Sequence, residues 1–366
     1  MNNKITSIHY LRGVAALLVV FFHFRFYLND AYSQKDLGSI LFGGGAFGVD
    51  LFFMISGFII SLSTERNTST FVFITRRFFR IYPAFLVTFS IGALFVFNSY
   101  SNEQLLRAMF FLHKDYTLES PSFGYNILGP AWTLTYEIYF YLTFVIAMLT
   151  SHKYRVILSS GMILVPIIII QLYYTGGLTI SGNGSPKIPF ETEHYELIRF
   201  ISSPIMIEFI IGMLFFEAYK RVNLGCLKTY SKHIISLCFG LFLFLYFSPS
   251  RYGFGLQGFG IWALILISGS LIYEKNNKIN YSATLSFLGD ISYSLYMSHY
   301  LVINSLDFYR FSFWTNSTGI SKFFLATTIC ISIAFFMYYW VEKPFIYVGK
   351  FIESTIKKRN GKAIQL

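Results

Sequence analysis

Residues 11–23, LRGVAALLVVFFH, lie inside an apolar run from 10 to 28 whose only ionisable side chains are Arg12, His23 and Arg25. Nineteen residues rise about 28 Å as an α-helix, close to the thickness of a bilayer's hydrocarbon core, so the run reads as a membrane span. Only Lys4 precedes it as a basic residue, and no small-residue cleavage site follows. A retained helix is therefore expected rather than a removed signal peptide.

Working outward, near-continuous apolar runs recur at 45–63, 83–98, 131–150, 155–173, 200–219, 233–248, 257–273, 285–306 and 320–341, giving ten candidate spans. Leu105–His113 (LLRAMFFLH) is too short to cross and is expected to lie at the interface or to re-enter. Of 366 residues, 54% are hydrophobic, 20% aromatic and 13% charged, which excludes an ordinary soluble protein. Ten helices of about 20 residues leave loops too short for a second folded domain. The expectation is an all-α polytopic membrane domain over 1–345 and a basic tail over 346–366.

The formal net charge of +11 follows the same topology. With the N-terminus inside, nineteen Lys and Arg fall on the cytoplasmic side and eight outside, so both termini are expected in the cytoplasm. This distribution makes the positive charge an orientation signal and not a nucleic-acid footprint. Lys357, Lys358, Arg359 and Lys362 would rest on anionic membrane lipids. Loop 174–199, rich in Gly, Pro and Ser, would rim an external opening. Gly43, Gly45 and Gly48 satisfy G-x-G-x-x-G without the βαβ context a dinucleotide needs. Cys226, Cys238 and Cys330 show neither CxxC nor metal-ligand spacing, so no metal is expected.

Ionisable groups inside a span need a partner, a wet cavity or a task. They are Arg12 and His23 in the first span, Asp50 in the second, Glu137 in the fourth, Glu208 in the sixth, and Asp290 and His299 in the ninth. His23 lies about 16 Å beyond Arg12 along its helix. His23, Asp50, Glu137 and His299 are expected at similar heights in the outer half, and Arg12, Arg76, Arg77 and Arg80 at the inner face. Cations facing the cytoplasm suit a phosphorylated donor, and a histidine among carboxylates suits proton transfer.

These residues carry a resemblance. LRGVAALLVVFFH (11–23), GVDLFFMISGFII (48–60), RRFFRIYPAF (76–85), PAWTLTYEIYFYL (130–142), EFIIGML (208–214), LGDISYSLYMSH (288–299) and WVEKP (340–344) follow one another as in the acyltransferase 3 family of integral membrane O-acyltransferases, which the chain resembles over nearly its whole length. The resemblance implies transfer of an acyl group, usually acetyl from acetyl-CoA, to a hydroxyl of a surface glycan or lipid-linked glycan, in the bacterial inner membrane. It implies His23 as base, in direct attack or through an acyl-enzyme. Arg12 and at least one of Arg76, Arg77 and Arg80 would meet the CoA phosphates, and Tyr82 would join them in binding the donor, with Tyr82 and Pro83 closing that motif and Pro83 opening the third span.

Glu137 would orient His23, serve as the acceptor-side base or tether helices, and Asp50 and Glu208 are weaker candidates for those tasks. Tyr296 and His299, three residues apart, would line an acceptor or acyl pocket or form a structural cluster. Trp132 is either part of that pocket or a membrane-belt tryptophan. Many relatives carry a C-terminal esterase-like domain, whereas this chain ends about 25 residues after the last span. A homo-oligomer stays open, and a proton-coupled transporter using His23, Asp50, Glu137 and His299 is the alternative from another functional class.

Overall fold

The computed structural model describes residues 5–97, 99–248 and 253–363, with side chains to 356. Lys4, Arg251 and the tail side chains Lys357, Lys358, Arg359 and Lys362 lie outside the described residues. The protein is helical, and among the described residues β-pairing is confined to one isolated bridge, Ser181 with Gly255. Its long helices are α1 Thr6–Phe24, α2 Gly48–Thr64, α3 Thr70–Phe95, α4 Trp132–Thr150, α5 Arg155–Thr175, α6 Ile207–Arg221, α7 Ser231–Phe247, α8 Phe259–Asn276, α9 Ala283–Tyr309, α10 Gly319–Met337 and α11 Lys343–Ala363.

Each of the ten expected runs holds a helix. Among the described residues, six helical segments are long and apolar enough to cross a membrane, or seven if Tyr195–Ile201 and Pro204–Arg221, bent by 40°, form one span. The shortfall from ten has a physical source. α7 has only 17 residues, the 18 of α8 end in Glu274, Lys275 and Asn276, and α9 carries Ser292, Ser294, Ser298 and His299, which are buried against other helices.

The third run begins earlier than expected. Ser69 Oγ accepts from the Val72 N–H at 3.3 Å and caps a helix that starts at Thr70, so Pro83 lies inside α3 and does not open it. Proline costs one backbone hydrogen bond within a helix, a loss that neighbouring helices make tolerable. The consequence is functional: Arg76, Arg77 and Arg80 project from a spanning helix and not from a cytoplasmic loop. At the other end of the chain α10 and α11 join through a π-helical turn, Tyr338–Glu342.

Small residues let the helices approach. A Cβ on Gly13 of α1 would stand 2.5 Å from Gly289 N of α9, and one on Gly289 would stand 2.6 Å from His9 O. On α2 and α6 the arrangement is again reciprocal, Gly57 facing Phe209 O and Gly212 facing Met54 O. Backbone contact of this kind is the membrane substitute for a hydrophobic driving force. At the α2 terminus Glu65 bonds Lys220 of α6 and lies 3.2 Å from Arg155 of α5. The Lys220 hydrogen bond holds the Glu65 carboxyl below the usual carboxylate range.

Leu105–His113 does not cross. Asn102–Met109 forms a short helix with a capping box at Ser101, and the chain turns at Phe111. Loop 174–199 is pinned onto this segment: Ser120 Oγ donates to Gly182 O at 3.0 Å, and Arg199 donates to Tyr116 O at 2.6 Å. His113 is buried there, its Nδ1 3.2 Å from the Tyr116 hydroxyl, and burial pulls its pKa down to about 3.

Two tests follow from the packing. Gly212→Val should destabilise the protein by about 1–3 kcal/mol through overpacking, read as a lower melting temperature in detergent, whereas Gly240→Ala, with nothing within 4 Å of the added Cβ, should not. Because folded His113 titrates near 3 and an unfolded histidine near 6.5, the unfolded chain binds the extra proton between those values. Stability should therefore fall on acidification through that window, and His113→Gln should flatten the dependence of melting temperature on pH.

Candidate active site

Helix spacing brings polar groups from five helices, three of them contributing charge, to one cavity. Its polar lining includes Arg12 from α1, Ser56 from α2, Arg77 and Arg80 from α3, Thr133 and Glu137 from α4, and Ser292, Tyr293 and Tyr296 from α9. A second cavity of about 810 Å³ is lined by His9, Asp290, Tyr338 and Glu342, and Arg12 and Arg80 line both. These two arginines therefore stand at the junction of the cavities.

Arg12 donates to Gly289 O at 2.5 Å, and Arg77 donates to Ser63 Oγ at 3.1 Å with its guanidinium over the Phe73 ring. Among the described residues, Arg12, Arg77 and Arg80 form no ion pair within 4 Å. Arg76 does: its Nε and Nη2 donate to the two Glu353 oxygens at 2.9 and 2.8 Å. Arg77 and Arg80, three residues apart, share the cavity face, while the exposed Arg76 pairs with Glu353 of α11.

Glu137 accepts from Ser56 Oγ at 3.1 Å and from the Tyr141 hydroxyl. It stands among the arginines, and no hydrogen bond or ion pair joins it to His23. Asp50 accepts the Gly255 N–H at 2.7 Å and neighbours Glu208; both carboxyls are fully buried and have no contact with the histidines. His23 and His299, Glu137, and Asp50 with Glu208 thus lie in three separate places.

The histidines form a pair. The His23 and His299 rings are 5.0 Å apart between centroids and inclined at 45°. His299 Nδ1 lies 2.8 Å from Tyr296 O and 3.3 Å from Leu295 O. Carbonyls only accept, so Nδ1 carries the proton and Nε2 is left as a lone pair. That nitrogen is buried with no partner among the described residues. The pair does not line the arginine cavity, but Tyr296 does, and its ring is 5.9 Å from His299. Its hydroxyl donates to Pro130 O at 3.2 Å and lies 3.1 Å from Thr133 Oγ1, which fastens α9 to the start of α4.

Two expectations change. Trp132 is buried against Phe53, Tyr136 and Phe254 and is not a membrane-belt side chain. Tyr82 stacks on Phe78, 5.2 Å between centroids, outside the arginine cavity.

Glu342, outside the expected spans, is a further ionisable group inside the helix bundle. It is buried, accepts from Ser294 Oγ at 2.7 Å and is turned inward by the π-helical segment. The signal was present in WVEKP, but Glu342 falls one residue beyond the expected end of the last span.

The geometry now meets its relatives. The acyltransferase-domain family profile matches residues 5–339, and the chain belongs to this acyltransferase 3 family. It is 27% identical to the exopolysaccharide production protein ExoZ of Rhizobium meliloti (strain 1021) over 279 residues, 71% of this chain and 77% of ExoZ. It is 29% identical to acyltransferase MdmB of Streptomyces mycarofaciens over 38% of each chain. A Staphylococcus aureus (strain COL) protein whose name offers it as an O-acetyltransferase is 24% identical over 92% of this chain and 56% of its own length. No solved structure matches the chain. The protein is a multi-pass membrane O-acyltransferase.

The glycine contact sets the histidine pair, so Gly13→Ala should reduce acyl transfer about tenfold to a hundredfold, as displacement of reacting groups by about 1 Å does. Rates normalised to the amount of inserted protein would check this, with Gly161→Ala, open on all sides, as the unchanged control.

Proposed function

We propose that the protein transfers acetyl from acetyl-CoA to a hydroxyl of a surface glycan in the bacterial inner membrane, with both termini cytoplasmic. The observation that carries the reading is the arginine cavity: three guanidinium groups without ion pairs, opening into a second cavity and adjoining a histidine pair through Tyr296. An unpaired cation inside a membrane protein is costly, and a polyphosphate offsets that cost with charge-assisted hydrogen bonds.

On this reading CoA occupies the second cavity and its phosphates meet Arg12 and Arg80. His23 takes the proton of the acceptor hydroxyl, whose oxygen attacks the thioester carbonyl carbon. As the tetrahedral intermediate collapses, the carbon–sulfur bond breaks and the thiolate takes the proton back. His299 holds its own Nδ1 proton on Tyr296 O and offers Nε2 to share the proton held by His23. Glu137 balances the charge of Arg77 and Arg80. Asp50 and Glu208 pin the segment around Gly255 and take no proton from substrate. Arg76 fastens α11 to α3.

Membranes supplied with radiolabelled acetyl-CoA should incorporate label into glycan, and His23→Ala should abolish incorporation while insertion is unchanged. Arg80→Gln should raise the KM for acetyl-CoA about tenfold, the value of one charge-assisted contact, and Arg76→Gln should leave it within about twofold. Equal effects of the two substitutions would remove the cavity from donor binding.

A further inference from the structure

The arginine cavity changes character along its length. On α2 its lining residues Val49, Phe52, Ser56 and Ile59 recur every three or four positions and so share one helix face. Ile59, with Arg12 and Arg80, also lines the second cavity, which makes this the end nearer the donor's phosphates on the acyl-transfer reading. Phe52 stands seven residues from Ile59, about 10 Å along the helix. Around it at the far end are Val49, Phe53, Thr133, Leu134 and Tyr296.

That far end is apolar and adjoins the histidines. Its two hydroxyls are engaged within the protein: Thr133 Oγ1 donates to Pro130 O at 3.1 Å, and the Tyr296 hydroxyl donates to the same carbonyl at 3.2 Å. The Tyr296 ring is 5.9 Å from His299 between centroids and connects the cavity to the imidazole pair. A thioester attacked beside that pair must bring its carbonyl to this end. The acyl carbons beyond the carbonyl then meet the side chains that close it.

Phe52 closes it as a fixed wall. Its ring meets Tyr296 edge-on, 5.4 Å between centroids at 68°, and packs against all three apolar clusters of the bundle, those containing Phe209, Trp262 and Leu295. A ring braced on several sides in a close-packed interior cannot turn aside for a longer chain without strain.

We propose that Phe52 is the specificity-determining residue for the acyl group: its ring is the wall on which the acyl chain ends, so acetyl fits and longer straight chains do not. The proposal rests on the acyl-transfer reading and assigns the donor's size limit to one side chain.

The test supplies the full chain, in its native membranes, with radiolabelled acetyl-, propionyl- or butyryl-CoA. The ratio of kcat/KM for butyryl to that for acetyl is taken on one preparation, so a loss of folded protein cancels. One methylene against an apolar wall is worth about ten- to 200-fold in discrimination, so the native chain should favour acetyl over butyryl by about a hundredfold or more. Phe52→Ala should raise the butyryl-to-acetyl ratio by about tenfold or more, and Phe52→Leu should raise it less. Ile59→Ala, on the same helix face at the other end of the cavity, should leave the ratio where it is. Binding is read apart from turnover with the thioethers S-ethyl-CoA and S-butyl-CoA on the chain in nanodiscs. The native chain should hold the ethyl compound more tightly, and Phe52→Ala should erase the difference.

An unchanged ratio in Phe52→Ala, in transfer or in binding, would overturn the proposal. An equal shift in Ile59→Ala would make the effect a general loosening of the cavity and overturn it too, as would equal use of acetyl and butyryl donors by the native chain. If acyl transfer itself were wrong, label would pass from none of the three donors while the thioether preference stood or fell by itself, so the two failures are distinguishable.

Discussion

α1 and α9 touch backbone to backbone where Gly13 meets Gly289, and the site depends on that approach. Ten residues further along each helix, about 15 Å by helix rise, stand His23 and His299, so one contact near the arginines sets the spacing of two rings far from it. The same contact leaves Gly289 O within reach of Arg12 Nη2. The two ends of the site are thereby measured from a common origin. A side chain at either glycine would push the helices apart, and the histidine spacing and the Arg12 anchor would change together.

Charge is distributed with a consistent logic around that origin. Arg76, Arg107 and Arg155 have a carboxylate partner within ion-pair distance, on Glu353, Glu196 and Glu65 respectively. The three arginines that line the reaction cavity have none among the described residues. A half-buried guanidinium without a carboxylate partner carries a desolvation cost that the fold itself does not offset. Three of them around one cavity, beside a Glu137 already engaged by Ser56 and Tyr141, suit an anionic ligand.

Much of this was legible in the residues alone, for a physical reason. A bilayer penalises every charge, so the few ionisable groups inside apolar runs form a short roll from which Arg12, His23, Glu137 and His299 emerge directly. What the roll does not contain is orientation around each helix. Arg76 and Arg77 are adjacent in sequence and differ in surroundings, because α11 packs on one side of α3 and the cavity opens on the other. Span limits were the second blind spot: placing the third span at Pro83 put three helical arginines in a loop, and ending the last at 341 left Glu342 outside. A Ser69 cap and a π-helical turn decide those limits, and neither contributes to hydropathy.

Loops too short to hold a domain do not leave the outer face unstructured. Asp50, buried in α2, accepts the Gly255 N–H, Gly255 bridges to Ser181, and Ser120 Oγ closes on Gly182 O. One carboxylate at membrane depth is thus the root of a chain of backbone contacts that reaches three outer segments. Its neighbour Glu208 lies where a Cβ on Gly260 would meet Oε1 at 2.7 Å, so the segment after Gly255 can pack this closely only because Gly260 has no side chain. Carboxyls held apart from the histidines in this way are better suited to fixing the roof over the cavity than to exchanging protons beneath it. His299 Nε2, by contrast, is buried with no partner among the described residues and no carboxylate bonded to its ring.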